Sequence, residues 1–211
     1  MAELAKRSLN ELMRELKSVE EKILDRALYL MGKNGTTHIS IRAIAKEAEV
    51  NVSAINYYFR SKNEMIQQVK EFYLVNTTGV HSILDNEEFS YEERLILFAN
   101  EIMEYTLRYP GLAVILKEAV DLKEEDELSR SIFEITQIMH KKTEHILACI
   151  IHETPENILY SRLIFMSSII YPLENKTLSG LGTPILETKE QRIHYIKHLI
   201  NVLKNTSTKD C

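Results

Sequence analysis

Apolar residues along this chain recur at steps of three, four and seven, and nowhere alternate with period two. That pattern puts one face of each segment against a core as a helix and leaves no strand to form, so the fold class is all-α, with about nine helices. A leading helix starts at Ser18 and Glu21, carries Ile23, Leu24, Ala27, Leu28, Leu30 and Met31 on one face, and is ended by Gly32 and Gly35. Ser40 opens a short helix to about Ala48, Asn51 a second to about Tyr58, and Ser61 with Glu64 a third to about Leu84. Each of these caps offers an oxygen to the unpaired N–H groups of a first turn. Ser90 with Glu93 boxes a helix to Arg108, and Tyr109-Pro110-Gly111 turns into another that ends in the acidic run Asp121 to Glu127. Leu128, Ile132, Ile135, Met139, Ile146 and Ile150 mark a long helix up to His152, and Thr154-Pro155 starts one through Tyr171-Pro172. Residues 173–187, with Gly180, Gly182 and Pro184, read as a loop before a closing helix from about Lys189 to Lys204.

The short helices between Ser40 and Lys62 have a chemistry of their own. Ile44, Ala48, Val50 and Ile55 have the spacing that lets two crossed helices share a small core, and Ala45 is small where backbones must approach. Outside that core stand Ser40, Arg42, Asn51, Val52, Ser53, Ala54, Asn56, Tyr57, Tyr58 and Lys62, a polar, aromatic and basic face. In a helix-turn-helix the second helix lies in the major groove with its N-terminal residues at base edges, while hydroxyls, amides and cations beside it hold phosphates. On that reading Val52, Ser53, Ala54 and Asn56 face bases, where Ala and Val can meet a thymine methyl and Asn an adenine. Tyr57, Lys62 and Arg42 face phosphates. Tyr58 and Phe59 have a second reading as packing residues, and Arg42 as a solvated surface cation.

Ile44-Ala45, Ala48, Val50, Tyr57-Tyr58-Phe59 and Lys62, behind the leading helix, resemble the N-terminal domain of the TetR/AcrR family of ligand-responsive transcriptional regulators. About 50 residues carry the resemblance. It departs from the family pattern at Glu49, where glycine is usual in the turn, at Asn51, where Ser or Thr is common, and at Asn56 before the aromatics. A non-glycine residue in a left-handed turn costs about 1 kcal/mol. The resemblance implies a helix-turn-helix domain over residues 1–65, on a helical ligand-binding and dimerisation domain over residues 66–211. It implies a dimeric repressor of a palindromic double-stranded operator, released by a small-molecule effector.

The closing helix carries apolar residues around half its circumference, more than one buried face requires. With the helix before it, which adds small Ser161, Ser167 and Ser168, it is expected to pair with its copy in a homodimer through Ile158, Phe165, Ile169, Ile196, Leu199, Ile200 and Leu203, the alternative being a fully intrachain core. In proteins similar to this one these two helices form a four-helix interface. An effector, if bound among the middle helices, would meet Phe98, Met103, Tyr105, Leu116, Phe133, Met139 and Phe165, all of which read equally as core. No cluster of charge recurs within those apolar faces, which points to a neutral or apolar effector.

Charge adds a modest signal. The chain is −5 overall, yet residues 1–65 hold 11 Lys and Arg against 9 Asp and Glu, leaving 15 against 22 for the rest. A weakly basic reader on an acidic body suits approach to DNA from one side. Cys149 lies in an apolar helical run and Cys211 stands last, so no disulfide framework is indicated. No charged segment followed by an apolar one opens the sequence, and no run of 18 apolar residues occurs, so the expected compartment is the cytoplasm with no membrane partner. His194 and His198 share a helix face at metal-ligand spacing, but Tyr195 stands where a catalytic glutamate would, and no third ligand is evident, so no metal and no cofactor are expected. There is no glycine-rich phosphate loop, nucleophile elbow or Cys-x-x-Cys, and an enzyme is not expected. Two classes of function remain: a DNA-binding regulator, or a helical ligand-binding or interaction module whose helix-turn-helix is mainly structural.

Overall fold

A computed structural model describes residues 18–174 and 186–206. Among them are nine helices and no strand: α1 Val19–Asn34, α2 Ile41–Glu47, α3 Val52–Tyr58, α4 Lys62–Asp85, α5 Tyr91–Arg108, α6 Leu112–Leu122, α7 Glu127–Ile151, α8 Pro155–Glu174 and α9 Lys189–Thr206. None of these helices is long and apolar enough to cross a membrane. The expected loop at 173–187 lies mostly outside the described residues, and Pro172, expected at a helix end, is inside α8.

The predicted caps are present as hydrogen bonds. Ser18 Oγ accepts from Glu21 N–H, Ser40 Oγ from Ala43 N–H and Ser61 Oγ from Glu64 N–H, each at 3.1 Å. Ser90 and Glu93 form the reciprocal box, with Ser90 N–H donating to Glu93 Oε2 at 2.9 Å and Glu93 N–H to Ser90 Oγ at 3.3 Å. Thr188 and Gln191 form a similar box at the start of α9.

The described residues fall into two compact units. The first takes those up to Gly79 together with Tyr109–Glu134; the second takes Val80–Arg108 together with those from Ile135 onward. Both α4 and α7 therefore contribute to each unit. The expected division at residue 65 follows the helix-turn-helix alone, whereas α6 and the neighbouring turns share a core with it.

In the first unit α1 packs on α2, α3 and α6, and α2 packs on α3. Ile23, Ala27, Leu28 and Met31 of α1 are buried with Ile44, Ala48, Ile55, Phe59, Met65 and Val69. Gly35, at φ 65°, caps α1 by donating to Gly32 O at 3.3 Å. Gly32 does not end the helix, as the sequence suggested. It lies within α1, where a Cβ would sit 2.0 Å from Gly111 N, and a Cβ on Gly111 would sit 2.3 Å from Leu28 O. Two backbones meet there with no room for a side chain. Lys70, 2% exposed, donates to Asp126 Oδ2 and Ser129 Oγ at 3.0 Å and pairs with Glu118 at 3.2 Å. Asp126 also accepts from Ser129 N–H at 2.9 Å, so one carboxylate caps α7 and anchors α4.

In the second unit α5 packs on α8 and α9, and α8 packs on α9. Leu95, Phe98, Ala99, Met103, Leu147, Ile158, Phe165, Ile169, Ile196, Ile200 and Leu203 form its buried apolar core.

Because the neighbours of Gly32 and Gly111 are backbone atoms that cannot rotate away, Gly32→Ala and Gly111→Ala should each lose about 2 kcal/mol or more of stability. Gly35→Ala, with nothing within 4 Å of its Cβ, should lose only the left-handed strain, about 1 kcal/mol. Urea midpoints measure the order; equal losses at all three glycines would contradict the backbone contact.

Candidate nucleic-acid interface

The second helix of the pair, α3, has seven residues, too few to persist alone, so its placement rests on its cap and its core. Asn51 Oδ1 accepts from Ala54 N–H at 2.7 Å. Ile55 and Phe59, each 1% exposed, anchor the inner face, and Val52 lies at the edge of that stripe, 38% exposed. The opposite face presents Ser53, Asn56 and Tyr57 at the i, i+3 and i+4 spacing, all exposed, with Tyr57 at 83%. Tyr58 is 36% exposed and meets the Tyr57 ring edge-on with centroids 5.2 Å apart, so it both packs and borders the surface. Ala54 and Lys62 are half-buried.

Ahead of the turn, Ser40 and Arg42 are exposed, Ser40 with its oxygen engaged as the α2 cap. The turn itself runs through Glu49 at φ 55°, the left-handed conformation expected where the family has glycine. Lys22 lies 3.6 Å from the Glu49 carboxylate in a solvent-exposed pair that offsets little of that strain. Val50 is half-buried, a lesser part of the core than its spacing suggested. Two exposed cations on this side were not singled out from sequence: Lys46, one turn after Arg42 on α2, and Arg60, three residues after Tyr57. Their spacing from Arg42 and Tyr57 was the available signal.

Residues 23–69 match the family of bacterial regulatory proteins, tetR family. Over those residues the chain is similar to that family's N-terminal domain. It is 30% identical over 138 residues to the Probable HTH-type transcriptional regulator YttP of Bacillus subtilis (strain 168), a match spanning 64% of each chain. Its fold is that of a TetR-like transcriptional regulator from Rhodococcus sp. RHA1, with a TM-score of 0.63 at 14% identity over 93% of this chain and 100% of that one. It is also that of the regulator FadR from Bacillus subtilis, solved in complex with stearoyl-CoA, with a TM-score of 0.54 at 17% identity over 86% and 96%. The helix-turn-helix of this chain thus keeps the frame of that family while Glu49, Asn51 and Asn56 depart from its usual residues.

The expected effector residues are distributed unevenly. Phe98, Met103, Met139 and Phe165 are buried in the second unit and Tyr105 is half-buried there, whereas Leu116 and Phe133 are half-buried in the first. Phe133 carries the Lys123 ammonium 4.4 Å over its ring. The second unit also holds buried charge that the apolar stripes concealed. Arg192, 5% exposed, donates to Asn100 Oδ1 at 3.1 Å, to Glu104 Oε2 at 3.0 Å and to the carbonyls of Leu186 and Glu187. Glu101, 6% exposed, lies beside it, with Asn100 Nδ2 at 3.4 Å.

The expected dimer residues lie inside the chain. Ile158, Phe165, Ile169, Ile196, Leu199, Ile200 and Leu203 are all under 9% exposed within one chain, because α8 and α9 use those positions to pack on each other and on α5. The apolar surface of α8 is instead Leu159, Tyr160, Leu163, Ile164 and Tyr171, from 40% to 55% exposed, with Val202 of α9 at 43%.

Burial and the neighbouring Glu104 push the Glu101 pKa up to about 6, against the pull of Lys189, Asn100 and Arg192. Between its ordinary value of 4.5 and about 6, the folded chain holds a proton that the unfolded chain has released. Stability therefore falls as pH rises through that window and stays lower above it, by about 2 kcal/mol at most. Glu101→Gln should raise stability at pH 7 by about 1–2 kcal/mol and flatten that fall, as read by denaturation at pH 4.5 and pH 7; an unchanged pH slope would contradict it.

Proposed function

We propose that this chain is a DNA-binding transcriptional repressor of the TetR family that binds a palindromic operator as a homodimer and leaves it when a small molecule binds. The observation that carries the reading is the exposed row Ser53, Asn56 and Tyr57 on a helix whose opposite face is locked by Ile55 and Phe59. Arg42 and Lys46 of α2, with Arg60 and Lys62 just after α3, add cations able to hold phosphates, while Val52 and Ala54 add apolar edges. A helix-turn-helix kept only for structure has no need of an exposed aromatic among cations, and this weighs against an interaction module. A cytoplasmic compartment follows from the same reading, since that is where bacterial DNA lies.

The homodimer face is the apolar surface of α8, Leu159, Tyr160, Leu163, Ile164 and Tyr171, with Val202. Two copies of such a patch would cover each other by two-fold symmetry, and a palindromic operator presents its half-sites in successive major grooves about 34 Å apart. For the effector, the expected apolar side chains of the second unit are Phe98, Met103, Met139 and Phe165, all buried there. A neutral or largely apolar molecule suits side chains of that kind, and the fold-relative FadR from Bacillus subtilis was solved with stearoyl-CoA. A ligand that favours the non-binding conformation by about 1–3 kcal/mol would lower operator affinity 5- to 150-fold, and by linkage DNA lowers effector affinity by the same factor.

Removing the Tyr57 hydroxyl and the Lys62 ammonium together, as Tyr57→Phe with Lys62→Ala, should weaken binding to all duplexes alike, by about tenfold, and reduce the salt slope by about one. Mobility shift against random and selected duplexes at several salt concentrations measures this; unchanged affinity removes both residues from the interface.

Leu163→Glu with Ile164→Glu should give folded monomers whose operator affinity collapses, because two carboxylates would face each other across an apolar seam. The same change at Ile196 and Ile200 should unfold the chain instead. Sedimentation and circular dichroism separate the two; a wild type that is monomeric at micromolar concentration would refute the assembly.

A further inference from the structure

We propose that Ser53 reads an exocyclic amino group in the major groove, a cytosine N4 or an adenine N6, as a fixed hydrogen-bond acceptor, and that Asn51 is the positioning residue that fixes it. The proposal rests on the DNA-binding reading above and adds the chemistry recognised at one base.

Asn51 Oδ1 accepts two hydrogen bonds, from Ala54 N–H at 2.7 Å and from the Ser53 hydroxyl at 2.5 Å. A backbone N–H can only donate, so the side-chain atom facing Ala54 is the amide oxygen and not its nitrogen. A hydroxyl beside that oxygen can only donate to it. Serine has one proton and two lone pairs. With the proton committed to Asn51, Ser53 turns only lone pairs outward, and it does so from the exposed face it shares with Asn56 and Tyr57.

An unconstrained serine is a poor discriminator, because its hydroxyl rotates to donate or accept as the base requires. Held as an acceptor, it distinguishes two classes of base. Cytosine N4 and adenine N6 present amino donors in the major groove, whereas guanine O6 and N7 and thymine O4 present acceptors. Against the second class Ser53 either sets lone pair against lone pair or gives up its bond to Asn51. A serine at position 51 would not impose this, since a hydroxyl cap receiving Ala54 N–H brings a proton of its own and does not need the one on Ser53. The departure from the family at Asn51 therefore acts on recognition through its neighbour.

The test is selection from a library of randomised duplex DNA by the full-length wild type, Ser53→Ala, Asn51→Ser and Asn51→Asp, with sequencing of the enriched sites. Ser53 is exposed and both Ser and Asp keep a cap at position 51, so the fold stays intact, which circular dichroism checks. The wild type should enrich a site with one position per half where an amino base is preferred about tenfold over guanine and thymine. Ser53→Ala should abolish that preference while the rest of the site persists. Asn51→Ser should admit guanine and thymine at the same position, and Asn51→Asp, which still accepts the Ser53 proton, should retain the preference. A wild type that enriches a site whose every position survives Ser53→Ala, or whose altered position selects guanine or thymine, overturns the role of Ser53. Wild-type preference retained in Asn51→Ser overturns that of Asn51. Enrichment of no sequence by the wild type would instead remove the DNA-binding reading itself.

Discussion

The first unit is organised by a contact that side chains would forbid: the backbone of α1 at Leu28 and Gly32 against the backbone at Pro110 and Gly111. Because no side chain intervenes, the start of α6 is brought up to the same helix whose other residues carry α2 and α3. The consequence is an enlarged reader. Interiors are close-packed, so a helix held this tightly moves with its neighbours instead of sliding past them. α3 rests on α1, α1 rests on α6, and the Lys70 cluster ties α4 to Glu118 of α6 and to the start of α7.

Within that frame the polar groups act as fasteners rather than as sources of much net stability. A buried ion pair gains in Coulomb attraction about what it loses in desolvation, but removing one partner leaves the other stranded. Lys70 answers to two carboxylates and a hydroxyl, and Arg192 to a carboxylate, an amide and two carbonyls, so each fixes one arrangement of helices among those an apolar core alone would tolerate. Glu101 is the exception. It is buried beside the like charge of Glu104, and the Asn100 amide meets it only at a long 3.4 Å, so burial outweighs its partners and its pKa rises.

The outer face of α3 follows from its inner one. Ile55 and Phe59 fix the rotation of a helix of barely two turns, and that rotation alone decides that Ser53, Asn56 and Tyr57 point outward while Val52 sits at the edge. Asn51 then fixes both the first turn and the hydroxyl beside it. Local and tertiary constraints agree at this helix, as expected of a sequence that specifies one structure.

The sequence by itself determined the helices, their caps and the helix-turn-helix. Those depend on periodicity and on hydrogen bonds between residues two to four apart, which are visible along the chain: Ser40 to Ala43, Asn51 to Ala54, Ser90 to Glu93. Even the left-handed Glu49 was legible as a departure from glycine. What only the tertiary structure decided is which apolar face is spent inside the chain. Ile158, Ile169, Ile196 and Ile200 are buried while Leu159, Leu163 and Ile164 are not, although all are equally apolar in sequence. Hydrophobic periodicity says that a face must be covered, but it carries no information about whether the cover is the same chain or another. The same limit hid Gly32, whose neighbour Gly111 is 79 positions away, and the Arg192 cluster, whose side-chain partners lie on α5: contacts between distant positions arise only when helices pack.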